Sequence, residues 1–245
     1  MKGSSYRQLR IRLFVHRWLN PVAEVVSKNV FPSARLFGSE LIYQAIVHRE
    51  LARLGIDRPF YPVRSAATYS YLYLLIRICT ELPVRSVLEL GCGQSTLLLD
   101  ELSRMKNLEI TSLEHDEGWA KRIATQCERV GLERRPLERR RLAGADAEVY
   151  DFDAADRRFD VLLVDGPRGT RRNSRRGALA FVESALAEDF IIIFDDAERR
   201  GELDTIGETL RHLDRRRIEY STAMVRSVNS QFVIATPGFR GAVFF

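Results

Sequence analysis

Three stretches of this chain are apolar almost without a break: SVLEL at 86–90, FDVLLVD at 159–165 and FIIIFD at 190–195. A strand with one wet face alternates apolar and polar residues. A strand written as a continuous apolar run is covered on both faces. Around these runs the period becomes helical, over 94–105, 117–130, 175–187 and 201–216. Strand and helix thus alternate from 86 to 216, which specifies an open α/β sheet. EITSLE (109–114) supplies another strand, and LERRRL (137–142) reads as a weak third one. EYSTAMV (219–225) and QFVIAT (231–236) are joined by a turn at Ser227-Val228-Asn229. That connection is too short for a right-handed crossover, so the two are expected as an antiparallel pair at one edge.

The front of the chain is helical in pattern. Residues 6–19, YRQLRIRLFVHRWL, place Ile11, Phe14, Val15 and Trp18 on one side and Arg7, Arg10 and Arg17 on another. This basic helix has two readings. It lies in an anionic membrane interface, as a peripheral contact at the inner membrane face. Alternatively, its apolar side covers the rest of the chain or a second subunit of a homodimer. A short helix from Asn20-Pro21 to Phe31-Pro32, a helix over 33–56 and a Tyr- and Leu-rich helix over 66–81 follow. Tyr61, Tyr69, Tyr71 and Tyr73 read first as core and second as a substrate lid. No stretch reaches the roughly 18 apolar residues of a membrane span, and Arg10, Arg12 and Arg17 interrupt any signal-peptide core. Cys79, Cys92 and Cys127 are scattered and form no CxxC, which points away from disulfides or structural zinc and toward a reducing cytoplasm. The net charge of +5 is carried by arginine; Lys2, Lys28, Lys106 and Lys121 are the only lysines.

Chemistry is concentrated where the apolar runs end. VLELGCGQST (87–96) leads a strand into two glycines and then a helix from about Gln94. Such a turn lets backbone approach a ligand, and the helix start presents free N–H groups. Packing alone is the bland alternative. Glu114 ends the next strand, 23 positions after Gly91. A carboxylate there is placed to accept hydrogen bonds from the two hydroxyls of a ribose. Thr96 stands where a dinucleotide fingerprint has its third glycine, and no GK[ST] occurs, so a phosphate-cradling loop is excluded.

VLELGCGQST followed by SLEHDEGW, with FDVLLVDG and IIIFDD further on, resembles class I S-adenosylmethionine-dependent methyltransferases. The resemblance covers about residues 60–240. It implies a Rossmann-like open sheet of seven strands in the order 3-2-1-4-5-7-6, its last strand antiparallel. Residues 1–60 read from their own pattern as an appended helical extension or cap, which leaves 61–245 as the expected catalytic domain. Glu89, Gly91, Cys92, Gly93 and Ser95 would line the methionine end of S-adenosylmethionine, and Glu114 would hold its ribose. His115 and Asp116 would lie beside the adenine, with Asp146 as a further adenine-side partner.

Asp165, Asp195 and Asp196 end two adjacent strong strands. Neighbouring strands lie about 5 Å apart, so these carboxylates can converge on Mg²⁺. Helix capping and turn shaping are the bland alternatives. Catechol-type, metal-dependent O-methyltransferases are similar at these positions, but Asp196 replaces their amide and Arg168 their lysine base. Asp165 and Arg168 are therefore the candidate catalytic residues, with Asp165 as the general base if no metal intervenes. Arginine gives up its proton poorly. VDGPRG, SRRGAL and DDAER resemble glucuronoxylan-type methyltransferases, which methylate the 4-hydroxyl of a glucuronic acid; Asp195 stands at that family's usual histidine.

GPRGTRRNSRRG (166–177) crowds Arg168, Arg171, Arg172, Arg175 and Arg176 into one loop. Guanidinium forks suit carboxylates and phosphates, hence an anionic small molecule or glycoconjugate acceptor. A solvated basic loop is the bland alternative. Nucleic acid is disfavoured, because DGPR replaces the DPP-type motif of base methyltransferases and no stacking aromatics accompany the arginines. The expected function is methyl transfer from S-adenosylmethionine to a hydroxyl. A nicotinamide oxidoreductase, a nucleic-acid methyltransferase and a non-catalytic membrane-associated module are the competing classes.

Overall fold

The computed structural model describes residues 34–62, 67–170 and 172–244. The expected basic helix at 6–19, the helix after Asn20-Pro21 and Arg171 lie outside the described residues. In chain order the elements are α1 (Ala34–Leu54), α2 (Tyr69–Glu81), β1 (Ser86–Leu90), α3 (Gln94–Lys106), β2 (Glu109–Glu114) and α4 (Glu117–Ala124). Next come β3 (Gly131–Arg134), β4 (Leu137–Leu142), β5 (Ala145–Tyr150), β6 (Phe159–Val164) and α5 (Ala178–Ser184). β7 (Leu186–Phe194), α6 (Arg200–Arg215), β8 (Ser221–Val225) and β9 (Gln231–Ala235) complete the set, followed by a short 3₁₀ segment (Pro237–Val243). Among the described residues no helix is long and apolar enough to cross a membrane.

Seven strands form one sheet in the order β3-β2-β1-β6-β7-β9-β8. Counting only the strands of this sheet, that is 3-2-1-4-5-7-6, the Rossmann-like arrangement expected. β9 runs antiparallel to both β7 and β8. The apolar runs explain themselves on the two sheet faces. Val87, Val161, Leu163, Ile191 and Ile193 point to one face, where they meet α2 and α3 through Tyr71, Leu74, Leu98 and Leu102. Leu88, Leu162, Val164, Ile192 and Phe194 point to the other, against Phe181 of α5 and Ile206 and Leu210 of α6. Each such side chain contributes about 1.5–3 kcal/mol by leaving water. Alternate residues feed different cores, so both parities are apolar along most of each run. α1 joins the first core through Val47 and Leu51.

The third strand was misplaced in the sequence reading. GLER (131–134), not LERRRL, pairs with β2, at Thr111↔Gly131 through Glu114↔Arg134. LERRRL instead forms a separate antiparallel hairpin with ADAEVY, from Leu137↔Tyr150 to Leu142↔Ala145. Its two-residue turn, Ala143-Gly144, has both φ angles positive, 46° and 79°, as a twisted hairpin requires. The cause of the early third strand is Asp100. Buried on α3, its Oδ1 accepts from the backbone N–H groups of Glu128 (2.9 Å), Arg129 (2.7 Å) and Val130 (3.2 Å). That grip ends α4 at Ala124, short of the expected residue 130, and aims Gly131 at the sheet edge. The expected helix over 175–187 is likewise shorter, because β7 already begins at Leu186 and Gly177 packs against the backbone of Glu148 in the hairpin.

Asp100→Ala leaves three backbone donors without their shared acceptor. It is expected to destabilise the fold by about 3 kcal/mol, read as a lower denaturant midpoint with an unchanged slope.

Candidate functional site

The carboxyl ends of β1, β2, β6 and β7 form one rim, at the point where strand order reverses between β1 and β6. Ligands of open parallel sheets bind at such a point. The first component is the turn after β1. Gly91 has φ +90°, and a Cβ there would stand 2.8 Å from both N and Cα of Gly166. A Cβ on Gly166 would stand 2.6 Å from Gly91 Cα and from the Tyr150 hydroxyl. These two glycines therefore exist for each other: the backbones leaving β1 and β6 touch. Gly93 is different. A Cβ there would meet nothing within 4 Å. Packing within the chain does not call for glycine at 93, and its open face lies at the first turn of α3.

Glu89 is fully buried and turned into this loop. Its Oε1 accepts from Ser95 Oγ, and its Oε2 from Thr96 Oγ1 and Ser112 Oγ, each at 2.6 Å. Burial pushes its pKa up, and the three hydroxyls oppose that shift. The carboxylate ties β1, α3 and β2 together, so both Glu89 and Ser95 are engaged within the protein. Cys92 is buried, and its desolvated thiol is held protonated. Its carbonyl accepts from the Trp119 indole at 2.7 Å.

Glu114, almost fully buried, closes the end of β2. Its Oε2 accepts from Cys92 N (3.2 Å), and its Oε1 from His115 N and Asp116 N, both at 2.8 Å. His115 Nδ1 lies 2.9 Å from Oε1, but without hydrogen-bond alignment. Asp116 caps α4 by accepting from Trp119 N at 2.7 Å. Asp146 sits beside the hairpin turn, exposed and opposite Arg141. Four residues of strand, about 13 Å, separate it from Tyr150, the hairpin residue that reaches the rim.

The acids of β6 and β7 do converge. Asp165, Asp195 and Asp196 each offer an oxygen within 4.8 Å of the others. Asp165 keeps 24 % of its side chain exposed, while Asp195 and Asp196 are buried. Even so, desolvation and then the neighbouring Asp195 raise the Asp165 pKa well above the ordinary carboxylate range, against the pull of Arg175. Burial and Asp196 raise Asp195 to about 6, while Gln231, donating to its Oδ1 at 2.7 Å, opposes the shift. Two phenols lie on opposite faces of the sheet: Tyr71 in the first core, and Tyr150, with its hydroxyl next to Gly166, in the second. Both hydroxyls are buried without a hydrogen-bond partner among the described residues. Both feel the charge of Asp165.

The arginine loop divides. Arg168 and Arg172 are exposed at the rim. Arg175 is buried among the acids, and Arg176 is buried with Nη1 donating to Leu142 O (3.2 Å) and Ala143 O (3.0 Å) at the hairpin turn. Composition marked all of these as ligand-facing, and only packing separates them. Tyr71 is among the tyrosines expected first as core and second as a lid, and it is fully buried in the first core; nothing in the sequence marks Tyr150 or Gln231. Their signal, a polar tip inside an apolar run, is indistinguishable from ordinary core in sequence.

No protein-family model matches the chain, and no curated protein matches it. Among solved structures it is similar to the O-methyltransferase from Bacillus cereus in complex with SAH, at 14 % identity over 88 % of this chain and 96 % of that one, TM-score 0.46. It is similar to precorrin-6y C5,15-methyltransferase from Geobacter metallireducens, at 14 % identity over 74 % and 95 %, TM-score 0.48. It is also similar to a methyltransferase from Pyrococcus furiosus, at 16 % identity over 83 % and 98 %, TM-score 0.45.

A depression of 660 Å³ lies elsewhere, over Asn107, Glu109, Thr111, Arg129, Glu133 and Arg157 at the amino end of β2. It shares no residue with the rim.

The two glycines of the turn are expected to respond differently. Gly91→Ala must displace backbone at a positive φ and should cost about 2–3 kcal/mol, a fall of about 4–12 °C in the thermal midpoint. Gly93→Ala should stay within about 0.5 kcal/mol of the parent by the same melt.

Proposed function

We propose that the chain is an S-adenosylmethionine-dependent methyltransferase acting on a hydroxyl of an anionic acceptor, a sugar or glycoconjugate. The observation that carries this reading is the unfilled face of Gly93, at the head of α3. With no Cβ, that face leaves the turn open to a bulky ligand. The resemblance in VLELGCGQST and SLEHDEGW names the ligand class.

S-adenosylmethionine would supply a methyl group already activated by a sulfonium. The chain's own residues would do the rest. Gly93 and the first turn of α3 would receive the polar end of the cofactor. Glu114, fixed by three backbone donors, would accept from ribose hydroxyls. Asp165, the partly exposed acid of the rim, would take the proton from the acceptor hydroxyl at a carboxylate oxygen. Its raised pKa brings it closer to the operating pH, where a general base is effective. The unpartnered Tyr71 and Tyr150 hydroxyls stand ready to donate to a polar group bound beside Asp165. Buried donors left unpaired cost about 1–3 kcal/mol each, which a bound ligand would relieve. Arg168 and Arg172 would hold the acceptor's negative charge.

Calorimetry with S-adenosylmethionine tests the reading. The parent protein is expected to bind one equivalent, and Gly93→Ala to bind at least about tenfold more weakly while melting normally. Asp165→Asn should keep cofactor affinity but lose label transfer from isotope-labelled donor into a metabolite extract by about 100-fold or more. Absence of cofactor uptake by the parent protein would overturn the proposal.

A further inference from the structure

The three acids at the ends of β6 and β7 are the arrangement in which the sequence suggests a divalent ion. A guanidinium is already among them. Arg175 Nη2 lies 3.1 Å from Asp165 Oδ1 and 2.8 Å from Asp196 Oδ2, and Nη1 donates to the carbonyl of Asp195 at 3.0 Å. One side chain thus touches all three residues. It is 4 % exposed, and its Nε faces Glu202 Oε1 at 3.7 Å.

Three of the four carboxylate oxygens of the buried pair are engaged. Asp195 Oδ1 takes the Gln231 amide, Asp196 Oδ1 takes the Asn229 amide at 2.9 Å, and Asp196 Oδ2 also takes Arg199 at 2.6 Å. The fold imposes this arrangement at a local cost. Arg175 and Asp196 both sit in the left-handed region, at φ 53° and 57°, which residues with a Cβ enter reluctantly. Ser174 donates to Glu202 at 2.9 Å, and Thr205 Oγ1 donates to the Ser174 carbonyl at 2.5 Å. Together they clamp the segment that carries Arg175 onto α6.

A Mg²⁺ ion demands oxygen ligands at close, near-octahedral range. An ion shared by Asp165 and Asp196 would have to stand against a buried positive charge that has no room to leave. The donor set therefore does not fit a resident divalent metal. We infer that Arg175 is the built-in cation of this cluster, holding Asp165 in place and balancing its charge as a divalent ion does in metal-dependent relatives of the fold. As far as it concerns turnover, the inference rests on the methyltransferase reading; the occupancy of the cluster does not.

Mn²⁺ titration followed by electron paramagnetic resonance tests it on the full chain, with no dependence on methyl transfer or cofactor binding. The parent protein is expected to leave the free Mn²⁺ signal undiminished up to about 1 mM, beyond the affinity range of sensor-type divalent sites. Arg175→Met, checked for folding by circular dichroism, is expected to gain one Mn²⁺ site at least about tenfold tighter. That gain is expected to disappear in the double variant with Asp196→Asn. Arg175→Lys, which keeps a cation, is expected to behave as the parent. Should Arg175→Met not fold, the parent titration alone decides. Tight binding of one Mn²⁺ by the parent, lost on Asp165→Asn or Asp196→Asn, would overturn the inference. So would a folded Arg175→Met that gains no site. Parent binding insensitive to both substitutions lies outside the cluster and leaves it to Arg175.

Discussion

The rim is organised around a place where two backbones touch. Gly91 and Gly166 come so close that neither can carry a Cβ. This contact brings the chain leaving β1 against the chain leaving β6, at the point among the parallel strands where strand order reverses. It has consequences in both directions. Asp165 is delivered to the edge of the glycine turn, with its N–H bonded to Leu90 O at 3.0 Å. Gly93 is left two residues further on, facing open space. Glu89 locks the geometry from beneath with three hydroxyls, so the turn is held by buried polar bonds rather than by side-chain bulk. A buried carboxylate is costly unless fully paired, and here the pairing spans three elements.

The second organising feature is a charge imbalance. Asp165, Asp195, Asp196 and Glu202 meet within reach of a single buried guanidinium. Desolvation pushes Asp165, Asp195 and Glu202 upward. Arg175 offsets part of that penalty and fixes orientation. Such networks stabilise little in themselves, since removing charges from water cancels most of the Coulombic gain. Their value lies in holding one partly exposed acid in a defined place. This is also why the arginine loop cannot be treated as one patch. Arg175 and Arg176 are structural, and only Arg168 and Arg172, among the described residues, remain at the surface as candidates for an anionic acceptor.

Most of the fold could be read from the chain, because the evidence for it is local and periodic. Short unbroken apolar runs rich in β-branched residues read as strands covered on both sides, and the short turn between the last two strands can only make an antiparallel pair. The misplacement of the third strand shows the limit. LERRRL and GLER are both short and charged, and choosing between them required knowing that Asp100, some thirty residues earlier, holds the backbone of 128–130. The signal for the hairpin, Ala-Gly between two alternating runs, was present but weak.

By itself the sequence determined the sheet, the glycine turn and the acids at the strand ends, since strand ends follow directly from where apolar runs stop; the strand order came from the resemblance those motifs carry. Tertiary structure alone decided which glycine packs and which is open, which arginines are buried, and that Tyr71 and Tyr150 bury unpartnered hydroxyls in opposite cores. Those outcomes depend on distances between residues far apart in the chain. Residue type and spacing carry no information about such distances until the strands are laid side by side.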